Sequence, residues 1–89
     1  MAATLTADVL EDPLAVSLAR ILAAANKRAH QSGINAAESF ITISQRSSNG
    51  EPIWRVNYSA REVVGRRGGD LIVDVDGRDC KITQVLRGQ

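Results

Sequence analysis

The chain changes its hydrophobic period once, near Gly33. Before that glycine, apolar residues recur at helical spacing, and the basic residues lie mostly off their stripe. After it, apolar and polar residues alternate, as they do in strands with one buried face. The helical stripe consists of Leu14, Leu18, Ile21, Leu22, Ala25 and Ala29. The pattern therefore predicts one long helix followed by an antiparallel sheet.

Both ends of the helix are marked in the sequence. The Asp12 carboxylate can cap the free amides at the start, and Pro13 fits the first helical position because no N–H is needed there. Gly33 is the expected stop. We expect a helix over residues 12–32, with residues 1–11 as a tail or a short helix.

Two glycine-containing turns predict the registers of two hairpins. Asn49-Gly50 is a strong signal for a two-residue turn, and Gly77-Arg78, with glycine first, favours a primed turn of the other type. The first turn would pair Ile43 with Val56 and Ile41 with Tyr58. The second would pair Val75 with Cys80 and Val73 with Ile82.

The register of the two middle strands follows from matching apolar residues with apolar residues, because a slip of one residue turns every side chain to the other face. The best match leaves residues 60–69 as the loop. It pairs Tyr58 with Leu71, Val56 with Val73 and Trp54 with Val75. One face then carries Ile41, Ile43, Trp54, Val56, Tyr58, Leu71, Val73, Val75, Cys80 and Ile82.

That apolar face needs a cover, and the amphipathic helix is the expected one. The predicted fold class is α+β, with one long N-terminal helix packed on a four-stranded antiparallel β-meander over residues 39–88. Residues 1–89 would form a single domain, because a chain of this length builds one core. With 44% hydrophobic residues but only one Phe, one Trp and one Tyr, that core must be mainly aliphatic.

Cysteine use and hydropathy bear on the compartment. The lone Cys80 excludes an intramolecular disulfide, which fits a reducing environment. Residues 1–10 lack the basic start and unbroken apolar stretch of a secretory signal, and no apolar run reaches the roughly 20 residues of a membrane span. We expect a cytoplasmic, bacterial protein without a membrane partner.

Charge is balanced overall but uneven along the chain. The net charge is +1, too small for the usual footprint of a nucleic-acid-binding domain. Arg61, Arg66 and Arg67 nevertheless lie among glycines, whose small size lets backbone amides approach a phosphate. These arginines form a candidate phosphate-binding or nucleic-acid-binding loop. The simpler interpretation is an exposed connection whose arginines lie near the aspartates of the next strand.

The stretch DVDGRD places Asp74, Asp76 and Asp79 close together. In the predicted register Asp74 lies on the solvated outer face between Arg55 and Lys81, while the other two flank a turn and bond its amides. A calcium loop with Gly77 at its sixth position would have Ile72 first and Thr83 twelfth, so both end ligands are missing. We expect a turn with an ion pair, and no metal or other cofactor. The alternative is adventitious binding of a divalent cation by Asp74, Asp76 and Asp79.

Catalytic chemistry is weakly indicated. His30 is the only histidine and falls at the carboxyl end of the helix, where we expect a structural role. Cys80 is expected to face the core, so neither it nor a serine has an evident base nearby. We do not expect an enzyme.

The stretches PIWRVNY and GGDLIVDVDGRDCKITQVLRG resemble two groups of small domains. They are similar to PepSY-like domains and to the cystatin-like or nuclear-transport-factor-like domains of bacterial immunity proteins. Trp54, Val56, Tyr58, the Val73–Asp76 strand and Ile82 carry the likeness, over roughly residues 41–88. The resemblance implies a non-catalytic binding or inhibitory module. PepSY-like domains usually belong to exported proteins, and this chain shows no export signal.

The predicted function is therefore protein binding, with either a protein partner or a second copy in a homodimer. The exposed edges of the sheet, around Ile41 and Ile82, are the expected places for adding a strand. A second candidate interface is the sheet face away from the helix. It would consist of Ile53, Asn57, Ile72, Thr83 and Val85.

Overall fold

The computed structural model describes residues 6–60 and 70–88, which form one helical layer and one sheet layer. A single helical turn, α1, is followed by the long helix α2, a short 3₁₀ helix and four strands. Their bounds are α1 Ala7–Leu10, α2 Pro13–Gln31, the 3₁₀ helix Ala36–Glu38, β1 Ser39–Ser48, β2 Glu51–Ala60, β3 Leu71–Asp76 and β4 Ile82–Arg87. The fold is α+β, with α2 packed on an antiparallel sheet in meander order.

The two ends of α2 are closed as the sequence predicts. Asp12 Oδ1 accepts hydrogen bonds from the amides of Leu14, at 2.9 Å, and Ala15, at 3.1 Å. At the other end Gly33 has φ +85°, its N–H reaches the His30 carbonyl, and the Ile34 N–H reaches the Ala29 carbonyl, each at 3.0 Å. This pair of bonds is a Schellman motif, which requires the left-handed conformation that glycine adopts without strain.

The buried face of α2 is shorter than predicted. Ile21, Ala25 and Ala29 are buried, but Leu14, at the start of the predicted stripe, is 58% exposed. A helix of 19 residues is about 28 Å long, whereas the six residues of β3 span about 20 Å. The first turn of α2 thus has less sheet to pack on than its apolar spacing suggests.

The sheet has the strand order β1-β2-β3-β4. Asn49 and Gly50 have φ +52° and +80°, as a type I′ turn requires, so the first hairpin forms as predicted. The predicted middle register is also confirmed. The observed pairs include Ile41 with Tyr58, Ile43 with Val56, Trp54 with Val75, Val56 with Val73 and Tyr58 with Leu71.

The predicted register of the last hairpin is wrong. Gly77 does not have positive φ, so Gly77-Arg78 is not the primed two-residue turn. The turn instead covers Gly77 to Asp79, and Cys80 takes the left-handed conformation at φ +61°. Asp76 and Asp79 stabilise this longer turn by accepting the amides of Arg78, at 2.7 Å, and Lys81, at 3.1 Å.

The longer turn shifts the pairing of β3 with β4. Val75 lies opposite Ile82 rather than Cys80, and after an irregularity at Asp74/Val75, Val73 lies opposite Val85 rather than Ile82. The predicted Lys81 neighbour of Asp74 is therefore also wrong, because Gln84 occupies that position. Since the strands slip by one residue at the irregularity, Val85 reaches the helix side of the sheet.

The core lies between α2 and the middle of the sheet. The helix packs chiefly on β3, with contacts to β2 and β4 as well. The buried residues of the core are Ile21, Ala25, Ala29, Val56, Tyr58, Leu71, Val73 and Val75. Leu22, Ala24, Ile34, Ala36, Ile43, Trp54, Cys80, Ile82 and Val85 pack against them and are partly buried.

Candidate functional site

The outer edge of β1 is the longer of the two sheet edges in the described structure. Strand β1 pairs with β2 through all ten of its residues, without a bulge, and has no strand on its other side within residues 6–60 and 70–88. Eight of its ten residues are exposed, and only Ser39 and Ile43 are half-buried. An edge of this length presents a row of backbone donors and acceptors to solvent.

The direction of those backbone groups follows from one hydrogen bond. The Pro52 carbonyl of β2 accepts the Gly77 N–H at 3.0 Å, so it points away from β1. Backbone groups alternate sides along a strand, and therefore the odd-numbered residues of β2 face β1 and bond its even-numbered residues. The N–H and C=O groups of Ile41, Ile43 and Gln45 consequently point outward from the sheet edge.

The side chains of these outward-bonding residues lie on the helix side of the sheet. Ile43 packs against the core cluster, while Ile41 remains 36% exposed. Phe40 of the same strand lies on the opposite face of the sheet and is 61% exposed. The β1 edge therefore combines outward backbone groups with an apolar flank.

The opposite edge, β4, is interrupted and shorter. It has six residues, and its pairing with β3 shifts near Thr83, whose Oγ1 donates to the Asp74 carbonyl at 3.3 Å. Arg87 at its end donates to the Ser32 carbonyl at 2.9 Å, which ties the strand to the end of α2. Short length, irregular pairing and charged residues are the features by which proteins protect a sheet edge. Strand β1 is therefore the more accessible of the two edges predicted from the sequence.

The face of the sheet away from α2 holds an open depression of about 490 Å³ near the β1–β2 turn. Its floor is the ion pair of Arg55 and Asp74, with Nε to Oδ1 at 2.8 Å and Nη2 to Oδ2 at 2.9 Å. The predicted ion pair is confirmed. The expected solvation is wrong, because only 7% of the Asp74 side chain is exposed. The Arg55 guanidinium covers the carboxylate.

Apart from Arg46, the charged groups that line this depression form ion pairs with one another or with Arg78. Arg78 reaches Glu51 at 2.7 Å and Asp76 at 3.3 Å. Hydrogen bonds from Arg78 lower the pKa of Asp76, and the hydrogen bond to Asp74 raises the pKa of Arg55. Both shifts move the pKa further from neutral pH. They stabilise the charged forms, whereas a general acid or base needs a pKa near the working pH.

The structure places four of the five residues of the predicted helix-distal interface on that face of the sheet. Ile53, Asn57 and Ile72 lie half-buried on β2 and β3, and Ile53 lines the depression. Asn57 Oδ1 is buried without a hydrogen-bond partner among the described residues. Thr83 is exposed at the irregularity in β4. The placement of Val85 on this face is wrong, since it packs against the core under the helix.

Two other predicted features have different outcomes. Asp74, Asp76 and Asp79 each bond a guanidinium or a turn amide, and within residues 6–60 and 70–88 no three metal-ligating side chains form a cluster. Arg61, Arg66 and Arg67, the arginines of the candidate phosphate-binding or nucleic-acid-binding loop, lie outside the described residues.

Comparison with known proteins adds no family to this picture: no protein-family model, curated protein or solved structure matches the chain. Among the described residues, neither helix has the length and hydrophobicity needed to cross a membrane. The site must therefore be interpreted from its own geometry. The sequence predicted the β1 edge, around Ile41, as a place for adding a strand, but it predicted the β4 edge equally. The irregular pairing that makes β4 less accessible follows from the longer turn before it, and the sequence pattern did not reveal that turn.

Proposed function

We propose that this protein is a small non-catalytic protein-binding module that adds an extended polypeptide segment to its sheet along β1. The observation that carries this proposal is the continuous ten-residue edge, with the backbone groups of Ile41, Ile43 and Gln45 directed outward. Strand addition of this kind uses main-chain hydrogen bonds for affinity and alternate side chains for specificity. The segment belongs either to another protein or to a second copy.

The energetics favour a segment that also covers apolar side chains. Each backbone hydrogen bond contributes about 0.5–1.5 kcal/mol net, while association opposes binding by roughly 4–15 kcal/mol. Three outward residues can make six such bonds, together about 3–9 kcal/mol, which is comparable only with the lower part of that penalty. Burial of the exposed parts of Ile41, which is 36% exposed, and of the neighbouring Ile43 adds a further favourable contribution.

Two features from the sequence support the proposed function and the proposed location. The resemblance to small cystatin-like domains implies a non-catalytic binding module. The single Cys80, which is unpaired, suits the reducing bacterial cytoplasm that we propose as the protein's location.

The alternative function is phosphate or nucleic-acid binding at Arg61, Arg66 and Arg67. It predicts an affinity for phosphate or nucleic acid that falls as the salt concentration rises and when those arginines are replaced.

The proposal is tested by removing one outward backbone donor. Gln45→Pro eliminates an N–H that faces solvent, whereas Gln45→Ala keeps that N–H and changes only the exposed side chain. Proteins captured on the immobilised chain, and self-association measured by sedimentation, are compared for both variants. We expect Gln45→Pro to lose binding and Gln45→Ala to keep it.

Protection of amides from hydrogen exchange gives the location independently. On binding, exchange should slow at Ile41, Ile43 and Gln45. The proposal is overturned if protection arises on β4 instead, if Gln45→Pro binds as well as the parent chain, or if the parent neither captures a protein nor self-associates. Circular dichroism of Gln45→Pro checks that a loss of binding does not reflect unfolding.

A further inference from the structure

We infer that the segment added to β1 is β1 of a second copy of this chain, paired antiparallel about a two-fold axis at Thr42. This inference rests on the proposed function and names its partner. Such pairing would join two four-stranded sheets into one of eight strands, with both copies of α2 on the same side. Three properties of β1 point to this partner and to this register.

The first property is the alternation of backbone groups. In an antiparallel pair, two opposite residues direct their backbone groups either both toward the partner strand or both away from it, so outward odd-numbered residues of one copy must meet odd-numbered residues of the other. A two-fold axis at a residue of β1 satisfies this condition. It also keeps side chains from the helix side together, because opposite residues in a pair project to the same face.

The second property is the apolar pattern, which selects one axis. With the axis at Thr42, Ile41 of each copy lies opposite Ile43 of the other, so every apolar residue on the helix side meets an apolar residue. An axis at Ile43 would place Ile41 opposite Gln45, and an axis at Ile41 would place Ile43 opposite Ser39. Only the Thr42 axis gathers four isoleucines at the centre of the joined sheet.

The third property is charge complementarity. Arg46 is the single charged residue of β1, and Glu38 immediately precedes the strand. With the axis at Thr42, Arg46 of each copy lies opposite Glu38 of the other, giving one opposite-charge pair at each end. Both residues are exposed, and neither forms an ion pair within residues 6–60 and 70–88. Exposed pairs contribute little to affinity, but opposed charges select a register.

Cysteine cross-linking tests the axis directly. In a Cys80→Ser background, Thr42→Cys places two thiols at the non-hydrogen-bonded position on the axis, where Cα atoms lie roughly 4.5 Å apart and a disulfide fits. Ser44→Cys is the matched control, on the same exposed face of the same strand. Its two copies would lie about 14 Å apart, too far to be bridged. We expect disulfide-linked dimers from Thr42→Cys and not from Ser44→Cys.

A charge exchange tests the register without cysteine. Arg46→Glu should weaken dimerisation roughly tenfold in sedimentation, because two attractions become repulsions. Adding Glu38→Arg should restore most of the loss, since the opposite-charge pairs are re-formed. A merely structural effect of Arg46→Glu would not be rescued in this way.

The outcomes separate this inference from the proposed function. Cross-linking at Ser44→Cys, or dimers insensitive to the charge exchange, would overturn the Thr42 axis while β1 remains a binding edge. A chain that stays monomeric at high concentration, yet captures another protein in a manner blocked by Gln45→Pro, would overturn the second copy as partner and leave the proposed function standing. Failure of both self-association and capture would overturn both.

Discussion

Tyr58 is a polar residue at the centre of the helix–sheet interface. It is 2% exposed, and its hydroxyl donates to Asn26 Oδ1 at 2.7 Å, so its polar end is satisfied inside the protein. Burial raises the pKa of Tyr58 from 10.0 to about 12. Ionisation would place a negative charge between α2 and the sheet, and the hydroxyl would lose the proton that it donates. Folding and ionisation of this residue are therefore coupled.

The coupling predicts loss of stability in alkali. Unfolded chains release the tyrosine proton near pH 10 and the folded chain near pH 12, so between these values the folded state binds more protons. The free energy of unfolding is highest below pH 10 and falls as the pH rises, by about 2–3 kcal/mol in total. Urea unfolding across this range measures the decrease. Tyr58→Phe should be less stable below pH 10 but show a smaller decrease above it.

Absorbance gives a direct check, because Tyr58 is the chain's single tyrosine. The tyrosinate signal of the folded protein should have its midpoint near pH 12, and that of the urea-unfolded protein near pH 10. Equal midpoints in the two states would contradict the predicted coupling.

Arg55 and Asp74 show the limit of residue-level prediction. Their pairing follows from strand register, which the sequence pattern indicates correctly. The burial of Asp74, 5% exposed, does not follow, because exposure on a sheet face depends on how neighbouring side chains cover it. Register states which residues are opposite, and packing decides how much water reaches them.

At the scale of elements, the two hairpin turns differ in how completely their residues define them. Asn49 and Gly50 both have positive φ, which matches their known preference for the type I′ turn. In the second turn, the side chains of Asp76 and Asp79 bond nearby amides and extend the turn beyond two residues. Such side-chain bonds compete with the short turn that the glycine alone would favour.

Gly50→Ala tests the contribution of the first turn. The φ of Gly50, +80°, is strained for any residue that has a Cβ, so we expect the variant to be destabilised by about 1 kcal/mol. A steric clash does not contribute, because the added Cβ would meet no atom within 4 Å. Gly88→Ala is the control, since Gly88 has no positive φ and its Cβ would lie 3.5 Å from the nearest atom. Urea unfolding should show little change for Gly88→Ala, and an equal loss in both variants would contradict the role of φ.

For the whole molecule, stability depends on a thin core between one helix and one sheet. Ala25 and Ala29 are fully buried, and their small side chains let the backbone of α2 lie close to the sheet. Close-packed interiors tolerate added volume poorly, because neighbouring side chains cannot move aside. The spacing between the two layers is therefore determined by alanine.

Ala25→Leu should destabilise the fold by about 1–3 kcal/mol, because the added methyl groups would push α2 from the sheet. Ala23→Leu makes the same change at an exposed position of the same helix, and should alter stability by no more than about 0.5 kcal/mol. Thermal unfolding of both variants measures the difference. A harmless Ala25→Leu would show that the helix–sheet interface contains unfilled space.

The sequence by itself determined the long helix, its caps, the first hairpin, the register of β2 with β3 and the class of the fold. These features depend on residue preferences and periodicities that act within or between adjacent segments. Tertiary structure decided the bulge that turns Val85 to the core, the burial of Asp74, the exposure of Leu14 and the contrast between the β1 and β4 edges. Each of these depends on groups distant along the chain that compete for the same space and the same hydrogen bonds, and a pattern of hydrophobic and polar positions does not record that competition.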